Sequence, residues 1–202
     1  MYSKTIQKLI EHFSKFPTVG RRTAERFVFY LMKTPKPEVK ELINSIAELK
    51  NKVKICPSCF KSFEGEQELC SICLDAHRDK KVICVVEKEV DLESIEKTRK
   101  FKGTYLILGG TFLSVEQEKN KKDIEKRIEK LIDRIKKDKQ VIQEIILAIN
   151  PTPAGNNTCL WIQRKLKPLN IKTTHLGCGL PVGGELEYAD GETISSALES
   201  RK

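Results

Sequence analysis

Four cysteines in two equally spaced pairs have the most specific chemistry in this sequence. They are Cys56, Cys59, Cys70 and Cys73, so each pair reads Cys-x-x-Cys and ten residues separate the pairs. A tetrahedral Zn²⁺ ion takes four thiolates of this kind from two tight turns. Because thiolates fill all four positions, the pattern predicts one structural zinc ion per chain, stabilising a segment with few apolar residues. Two redox-active dithiols, or chance spacing, are the alternative.

A short basic segment between two amphipathic stretches is the second candidate for chemistry. It contains Gly20, Arg21, Arg22 and Arg26, with Thr23 as the expected cap of the following helix. A glycine-containing turn before a helix exposes backbone N–H groups that bind phosphate, and Arg22 and Arg26 lie one helical turn apart. The segment is therefore interpreted as a helix-hairpin-helix that binds the DNA backbone without sequence preference. A plain helical hairpin with solvated arginines is the alternative.

An acidic side chain at the end of a strand is the third candidate. Glu87 follows the apolar run 82–86. This layout resembles a Toprim domain, in which a glutamate after the first strand takes part in metal binding. Phosphoryl chemistry on Mg²⁺ needs several carboxylates around one cation. The later strand offers Asn150, Asn156 and Asn157 and no acid. The sequence therefore argues against nuclease or polymerising chemistry at this position.

Several other residues with chemical potential are predicted to be structural. The unpaired cysteines Cys84, Cys159 and Cys178 are expected to be small buried hydrophobic residues, and Trp161 is expected in the core of an amphipathic helix. The charged helix 119–139 is interpreted as a solvated face.

Elements of two kinds must position these side chains. Apolar spacing predicts three helices before residue 53, too small to be stable unless they pack on one another or on a partner chain. From residue 82, strands and helices alternate, which predicts a mostly parallel sheet with helices on both faces. The expected strands are 82–86, 105–108, 145–149 and 171–175, and the expected helices are 91–100, 120–137, 158–166 and 193–200.

The predicted fold class is therefore α/β and multidomain. Residues 1–53 form the hairpin region, 54–78 the four-cysteine zinc module, 79–175 the Toprim-like sheet and 176–202 a C-terminal arm that contacts a subunit or partner. The arm combines glycines with acidic residues next to Tyr188.

The charge of the chain is unevenly distributed along its 202 residues. The net charge is +9, but residues 1–55 hold 12 basic and 5 acidic residues, and residues 176–202 hold 2 basic and 5 acidic. This distribution favours an anionic partner, such as DNA, at the N-terminal region. The sequence has no apolar run of membrane-spanning length, so a cytoplasmic protein without a membrane partner is expected.

The order of these motifs, together with the tail Gly-Leu-Pro-Val-Gly-Gly-Glu-Leu-Glu-Tyr-Ala-Asp at 179–190, resembles the bacterial RecR family of recombination mediators. The resemblance implies a non-enzymatic, nucleoid-associated DNA-repair protein that forms a dimer or tetrameric ring. It implies action with RecO-like and RecF-like proteins to load RecA onto gapped DNA coated by single-strand-binding protein. It also implies DNA contact by Arg22 and Arg26, partner contact by Glu87, and zinc ligation by the four paired cysteines.

The chain departs from the usual family pattern at three places. Thr18 stands where the hairpin motif normally has its first glycine, 153–157 lacks the usual acidic residues, and 111–120 is charged instead of rich in proline and glycine. The rival hypothesis is a Toprim-type, Mg²⁺-dependent DNA-processing enzyme that uses Glu87. A third is a zinc-stabilised scaffold that binds only protein.

Overall fold

The computed structural model describes residues 2–112, 118–137, 142–177, 179–180, 182–199 and 201, with backbone only at 118–120. The helices are α1 (Lys4–Phe13), α2 (Arg21–Lys33), α3 (Lys36–Lys52), α4 (Ser71–Leu74), α5 (Glu89–Lys97), α6 (Glu118–Lys137), α7 (Pro153–Leu166) and α8 (Gly191–Glu199). The strands are β1 (Val53–Ile55), β2 (Ser62–Glu64), β3 (Asp79–Val86), β4 (Gly103–Ile107), β5 (Glu144–Ala148) and β6 (Lys172–His175). The chain divides into two compact units, Met1–Val53 and Lys54–Lys202. The further division of the second unit at residues 78 and 175 stays a prediction.

Helices α1, α2 and α3 form the first unit. The Ser3 side chain caps α1 by accepting a hydrogen bond from the Ile6 N–H. Residues Ile10, Ala24 and Val28 are buried between α1 and α2 and form the core of this unit. Helix α2 begins at Arg21, three residues earlier than a Thr23 cap predicts, so Thr23 lies inside its first turn and the prediction that it caps the helix is wrong.

Helix α3 has an apolar stripe but no buried residue. The side chains of its stripe are between 45 % and 59 % exposed: Leu42, Ile43, Ile46 and Leu49. Apolar side chains spaced along one helix face are normally covered in a stable protein. Within the first unit, the apolar face of this helix is therefore left uncovered.

The second unit is built on a four-stranded parallel sheet in the order β4-β3-β5-β6. Val86 pairs with Ile107 on one side and with Ala148 on the other, so the carboxyl ends of β4, β3 and β5 are level. The predicted parallel sheet is confirmed. Its carboxyl edge is where the loops after β3 and β5 meet, as in other open α/β sheets.

Alternation along the strands gives the sheet two buried faces. Ile83 and Val85 face a core completed by α6 and α7, through residues such as Ile128 and Ile162. Cys84, Val86 and Tyr105 face a second core, which includes Leu92 of α5. Both faces are covered, as the alternation of strands and helices predicted.

The four-cysteine segment covers part of the second face. Its strands β1 and β2 pair with each other, and α4 follows them. Cys56, Cys59 and Cys70 are buried in the same cluster as Tyr105 of β4. The Ile107 N–H of β4 also donates a hydrogen bond to the Cys59 carbonyl, with N and O 2.9 Å apart. The segment is therefore packed onto the edge of the sheet.

The tail carries a short 3₁₀ turn at Leu186–Tyr188 and then α8. The Asp190 carboxylate caps α8 by accepting from the Thr193 N–H at 2.9 Å and from its hydroxyl at 2.8 Å. Val182, Leu186 and Tyr188 are exposed. Cys178, Pro181 and Ser200, which figured in the sequence predictions, lie outside the described residues. In the described ranges, no helix combines the length and the apolar character needed to cross a membrane.

Candidate nucleic-acid interface and metal centre

The turn between α1 and α2 presents the N-terminus of α2. Gly20 is the N-cap of this helix, and no described side chain forms a capping hydrogen bond there. Backbone N–H groups in the first turn of such a helix are available to an anion. Thr18 of the turn has a φ of 63°, the left-handed conformation that glycine adopts most easily. The turn therefore keeps a glycine-like backbone although Thr18 carries a side chain.

Three arginines surround this helix start, and all three are exposed. The Arg21 guanidinium lies 3.4 Å from the carboxylate of Glu25, one turn along α2. Within the described ranges, Arg22 and Arg26 have no acidic partner within ion-pair distance. Exposed arginines without an acidic partner next to a helix N-terminus form a surface that can hold phosphate.

The four paired cysteines converge on one point. Their Sγ atoms all lie within 4.8 Å of one another. Cys56 and Cys73 have sulfurs 3.8 Å apart, and Cys59 and Cys70 have sulfurs 3.4 Å apart. In a tetrahedral site with Zn–S bonds of about 2.3 Å, the sulfurs lie about 3.8 Å apart. The cluster is therefore positioned to hold a metal ion, and its dimensions and donor set fit zinc.

Backbone hydrogen bonds shape the turn that carries Cys56 and Cys59. The Cys56 N–H donates to the Lys61 carbonyl and the Phe60 N–H to the Cys56 carbonyl, each at 2.9 Å. The hydrogen bond between Cys59 and Cys73 lowers the pKa of the Cys73 thiol to about 5 and raises that of the Cys59 thiol, while burial raises the pKa of the Cys70 thiol to about 11. Because the thiolate is the metal-binding form, a cation that binds here displaces protons from Cys59 and Cys70.

Glu87 lies at the carboxyl edge of the sheet and is only 8 % exposed. One of its carboxylate oxygens accepts a hydrogen bond from the Asn150 side-chain amide at 3.0 Å, and the other lies 3.2 Å from the Lys88 ammonium. Among the described residues, the cysteine cluster is the one group of three or more His, Cys, Asp or Glu side chains placed to share a metal. The side chain next to Glu87 is therefore the amide of Asn150. A Toprim catalyst has acidic side chains at this position.

Comparisons of sequence cover nearly the whole chain. A Toprim domain matches residues 81–177, the RecR helix-hairpin-helix matches residues 6–50, and the RecR C-terminal region matches residues 179–202. The chain is 40 % identical over 200 residues to recombination protein RecR of Clostridium perfringens, which covers 99 % of this chain and 97 % of that protein. The chain belongs to the RecR family.

Other relatives carry the same name. The RecR protein of Bifidobacterium animalis subsp. lactis is 41 % identical over 201 residues, covering 100 % of this chain and 97 % of that protein. The RecR protein of Rubrobacter xylanophilus is 38 % identical over 201 residues, covering 100 % of this chain and 98 % of that protein. Family membership confirms the resemblance identified in the sequence and supports a role in recombinational DNA repair.

The structure corrects one interpretation, that of α6 as a simply solvated face. Arg127 is half-buried, donates to the Ile107 carbonyl at 2.8 Å and lies 4.7 Å from the centre of the Phe60 ring. Arg134 reaches the Ser58 hydroxyl at 3.4 Å. Two of the helix's basic residues therefore connect α6 to the cysteine module, while its lysines at 121, 122, 126, 130, 136 and 137 are exposed.

Some contacts at the RecR-family sites were not predicted from the sequence. The sequence shows Asn150 at the end of a later strand than Glu87, but it does not predict the direct hydrogen bond between their side chains. Arg78 and Glu96 form an ion pair, and the Glu96 carboxylate also accepts from the Tyr105 hydroxyl. The sequence did not predict these contacts because the residues are far apart along the chain. The sequence signal for Glu96 was its position within a predicted helix, which places it on one face of α5.

Proposed function

We propose that this RecR-family chain is a non-enzymatic, DNA-binding recombination mediator. It acts at the nucleoid with RecO-like and RecF-like proteins, and helps to load RecA onto gapped DNA coated by single-strand-binding protein. The observation that carries the proposal is the 40 % identity to recombination protein RecR across 99 % of the chain.

DNA contact is assigned to Arg21, Arg22 and Arg26 together with the α2 N-terminus. Support comes from the exposure of all three arginines and from the absence of an acidic partner for Arg22 and Arg26 within the described residues. Contacts to phosphate carry no sequence information, so the binding is expected to be indifferent to sequence. It is also expected to weaken steeply with salt, because each contact releases counterions.

One zinc ion per chain is assigned to Cys56, Cys59, Cys70 and Cys73. Support comes from the sulfur spacing of 3.8 Å between Cys56 and Cys73, which fits tetrahedral thiolate coordination. With four thiolates and no open position, a bound zinc contributes folding energy rather than catalysis.

Glu87 is assigned to partner contact rather than turnover. Its carboxylate is engaged by Asn150 and Lys88, which supports a role in shaping the sheet edge. The exposed apolar stripe of α3 and the exposed tail around Tyr188 support self-association into a dimer or tetrameric ring. Mass in solution, measured with and without DNA, tests the ring.

DNA binding tests the hairpin assignment. The double variant Arg22→Ala, Arg26→Ala is compared with the charge-matched control Lys40→Ala, Lys50→Ala, using fluorescence anisotropy of a labelled single strand over a salt series. We expect the hairpin variant to lose about tenfold or more in affinity, and its log–log salt slope to fall by about 1.4, since each single-strand phosphate contributes about 0.7. Equal affinity of the two variants at moderate salt would contradict the assignment.

The rival enzyme is tested in the same preparation. Incubation of labelled gapped DNA with Mg²⁺ is expected to leave the DNA intact. Mg²⁺-dependent cleavage that disappears in Glu87→Gln would instead establish the Toprim-type enzyme. If no DNA is bound even at low salt, the chain is a scaffold that binds only protein.

A further inference from the structure

A groove of about 380 Å³ lies between α6 and α7, on residues that the proposed function does not use. Phe112 and Trp161 line it, with ring centroids 4.6 Å apart and ring planes at 77°. Leu160 beside them is 51 % exposed. The inner side of Trp161 packs against the core, so the ring is held in place while it lines an open groove.

Hydrogen bonds anchor the Phe112 backbone, next to the aromatic pair, to α7. The Phe112 N–H donates to the Thr158 hydroxyl at 3.1 Å, and this hydroxyl donates to the Ala154 carbonyl at 2.7 Å. Thr158 is fully buried. A rigid aromatic surface of this kind loses little conformational entropy when a planar ligand stacks on it.

The charges around the groove are mostly basic. Lys121 and Arg164 line it and are exposed, and the Lys165 ammonium lies 5.6 Å from the centre of the Trp161 ring. None of these three has an acidic partner within ion-pair distance in the parts of the chain described. Among the described residues of the lining, Glu125 is the one that is acidic. The groove therefore has a positive excess next to an aromatic platform.

We propose that this groove is a second nucleic-acid contact, in which an unstacked base of a single strand packs against Trp161 and Phe112. Arg164, Lys165 and Lys121 hold the flanking phosphates, and the Glu125 carboxylate accepts from a base N–H, such as the N3–H of thymine. A duplex keeps its bases inside the stack, so the platform selects single-stranded over double-stranded DNA. The inference rests on the proposed function in one respect, that the chain binds DNA.

Trp161 provides its own reporter because it is the one tryptophan of the sequence. Unlabelled oligothymidylate is added to the full chain while tryptophan emission is followed, and saturation is established separately by anisotropy of the labelled oligonucleotide. We expect emission to be quenched as the oligonucleotide binds. Quenching is also expected in Arg22→Ala, Arg26→Ala at higher DNA concentration, since the hairpin arginines are different residues.

Variants separate stacking from a general charge effect. Arg164→Ala, Lys165→Ala is compared with Lys136→Ala, Lys137→Ala, which removes the same charge from exposed positions of α6. The first variant is expected to lose about tenfold in affinity for oligothymidylate and most of the quenching, and the second to keep both. Trp161→Phe, which keeps an aromatic face, is expected to bind better than Trp161→Ala.

Three results would overturn the inference. The first is binding seen by anisotropy without any change in Trp161 emission, which leaves the hairpin and the proposed function standing. The second is quenching and affinity unchanged in Arg164→Ala, Lys165→Ala. The third is equal quenching by polyglutamate, which carries charge but no bases and would assign the groove to an acidic protein. Failure of all DNA binding at low salt would instead refute the proposed function itself.

Discussion

Thr18 occupies a backbone conformation that its side chain disfavours. Its φ of 63° is left-handed, and a β-branched residue there is a steric outlier. The cost of this conformation for a residue with a side chain is roughly 1–2 kcal/mol. The hairpin turn keeps its geometry because Val19 and the α1–α2 core hold the flanking residues.

Thr18→Gly is therefore expected to stabilise the chain. Relief of the left-handed strain exceeds the entropy cost of glycine, so we expect a gain of about 1 kcal/mol in the free energy of unfolding. Urea unfolding measures it. Thr34→Gly is the matched control, because Thr34 has an ordinary φ of −72° and its change to glycine is expected to destabilise. Equal destabilisation by both changes would show that Thr18 is not strained.

Glu96 is the acceptor for two side chains from other elements. Arg78 forms an ion pair with it, and the Tyr105 hydroxyl donates to it at 2.6 Å. The hydrogen bonds from Arg78 lower the pKa of this carboxyl, and Arg78 in turn has a raised pKa because of Glu96. A carboxyl whose pKa is lowered on folding adds stability above its unfolded pKa, about 4.3, and that stability is lost as the pH falls through the folded value.

Glu96→Gln should consequently show a pH-dependent loss of stability. At pH 7 we expect a loss of about 1–3 kcal/mol, because the guanidinium of Arg78 and the hydroxyl of Tyr105 lose their charged acceptor. As the pH falls below the unfolded pKa of about 4.3 and toward the lowered folded pKa of Glu96, the wild type loses this contribution, so the difference should shrink. Urea midpoints at several pH values measure it. The exposed Glu66→Gln is the control, and a Glu96→Gln loss that does not vary with pH would contradict the prediction.

At the scale of elements, the start of α7 is packed tightly against the end of β5. A Cβ placed on Gly155 would lie 2.0 Å from the Asn150 carbonyl oxygen, which is backbone and has little freedom to move. The Thr152 hydroxyl also accepts from the Gly155 N–H at 3.1 Å to cap the helix. The position of Asn150 against Glu87 therefore depends on a glycine at 155.

Gly155→Ala tests this close approach. We expect a loss of about 1–3 kcal/mol from overpacking, together with displacement of Asn150 from Glu87. Thermal unfolding measures the stability, and a crystal structure of the variant reports the displacement. Gly191→Ala, in the first turn of α8 with nothing within 4 Å of its Cβ, is expected to be neutral or slightly stabilising. A Gly155→Ala variant as stable as Gly191→Ala would refute the tight packing.

Helices and strands were predictable where the pattern is local. The apolar run before Glu87 and the spacing of Ile124, Ile128 and Leu131 indicated β3 and α6 because neighbours in sequence share a face. The attachment of Arg127 to Phe60 was not predictable, since it joins residues distant in the chain. In the site, the cysteine cluster followed from spacing alone, whereas the Asn150 contact depended on strand register.

At the scale of the whole molecule, the cysteine cluster belongs to the core of the second unit. Its buried thiols lie in the same hydrophobic core as Cys84, Leu92 and Tyr105. The segment has few apolar residues of its own, and it packs against those of the sheet. Because of this shared packing, we expect the loss of a metal bound at the cluster to lower the stability of the sheet as well as that of residues 56–73.

Metal removal tests that link. We expect about one zinc equivalent per chain by elemental analysis, and chelation to lower the stability of the Lys54–Lys202 unit by more than about 3 kcal/mol, with recovery on adding zinc. Cys70→Ser should reproduce the loss and Ser71→Ala should not. A metal-free chain with unchanged urea unfolding and four reactive thiols would contradict the assignment.

The hydrogen bond from the Ile107 N–H to the Cys59 carbonyl has a consequence for solubility. Strand β4 lies at one edge of the sheet, and an uncovered edge strand is a template on which another chain can pair. The opposite edge strand β6 is four residues long and carries Lys172, features that discourage such pairing. The cysteine module thus acts as a cover for the vulnerable edge, and a chain that has lost its metal should aggregate through β4 before it unfolds completely.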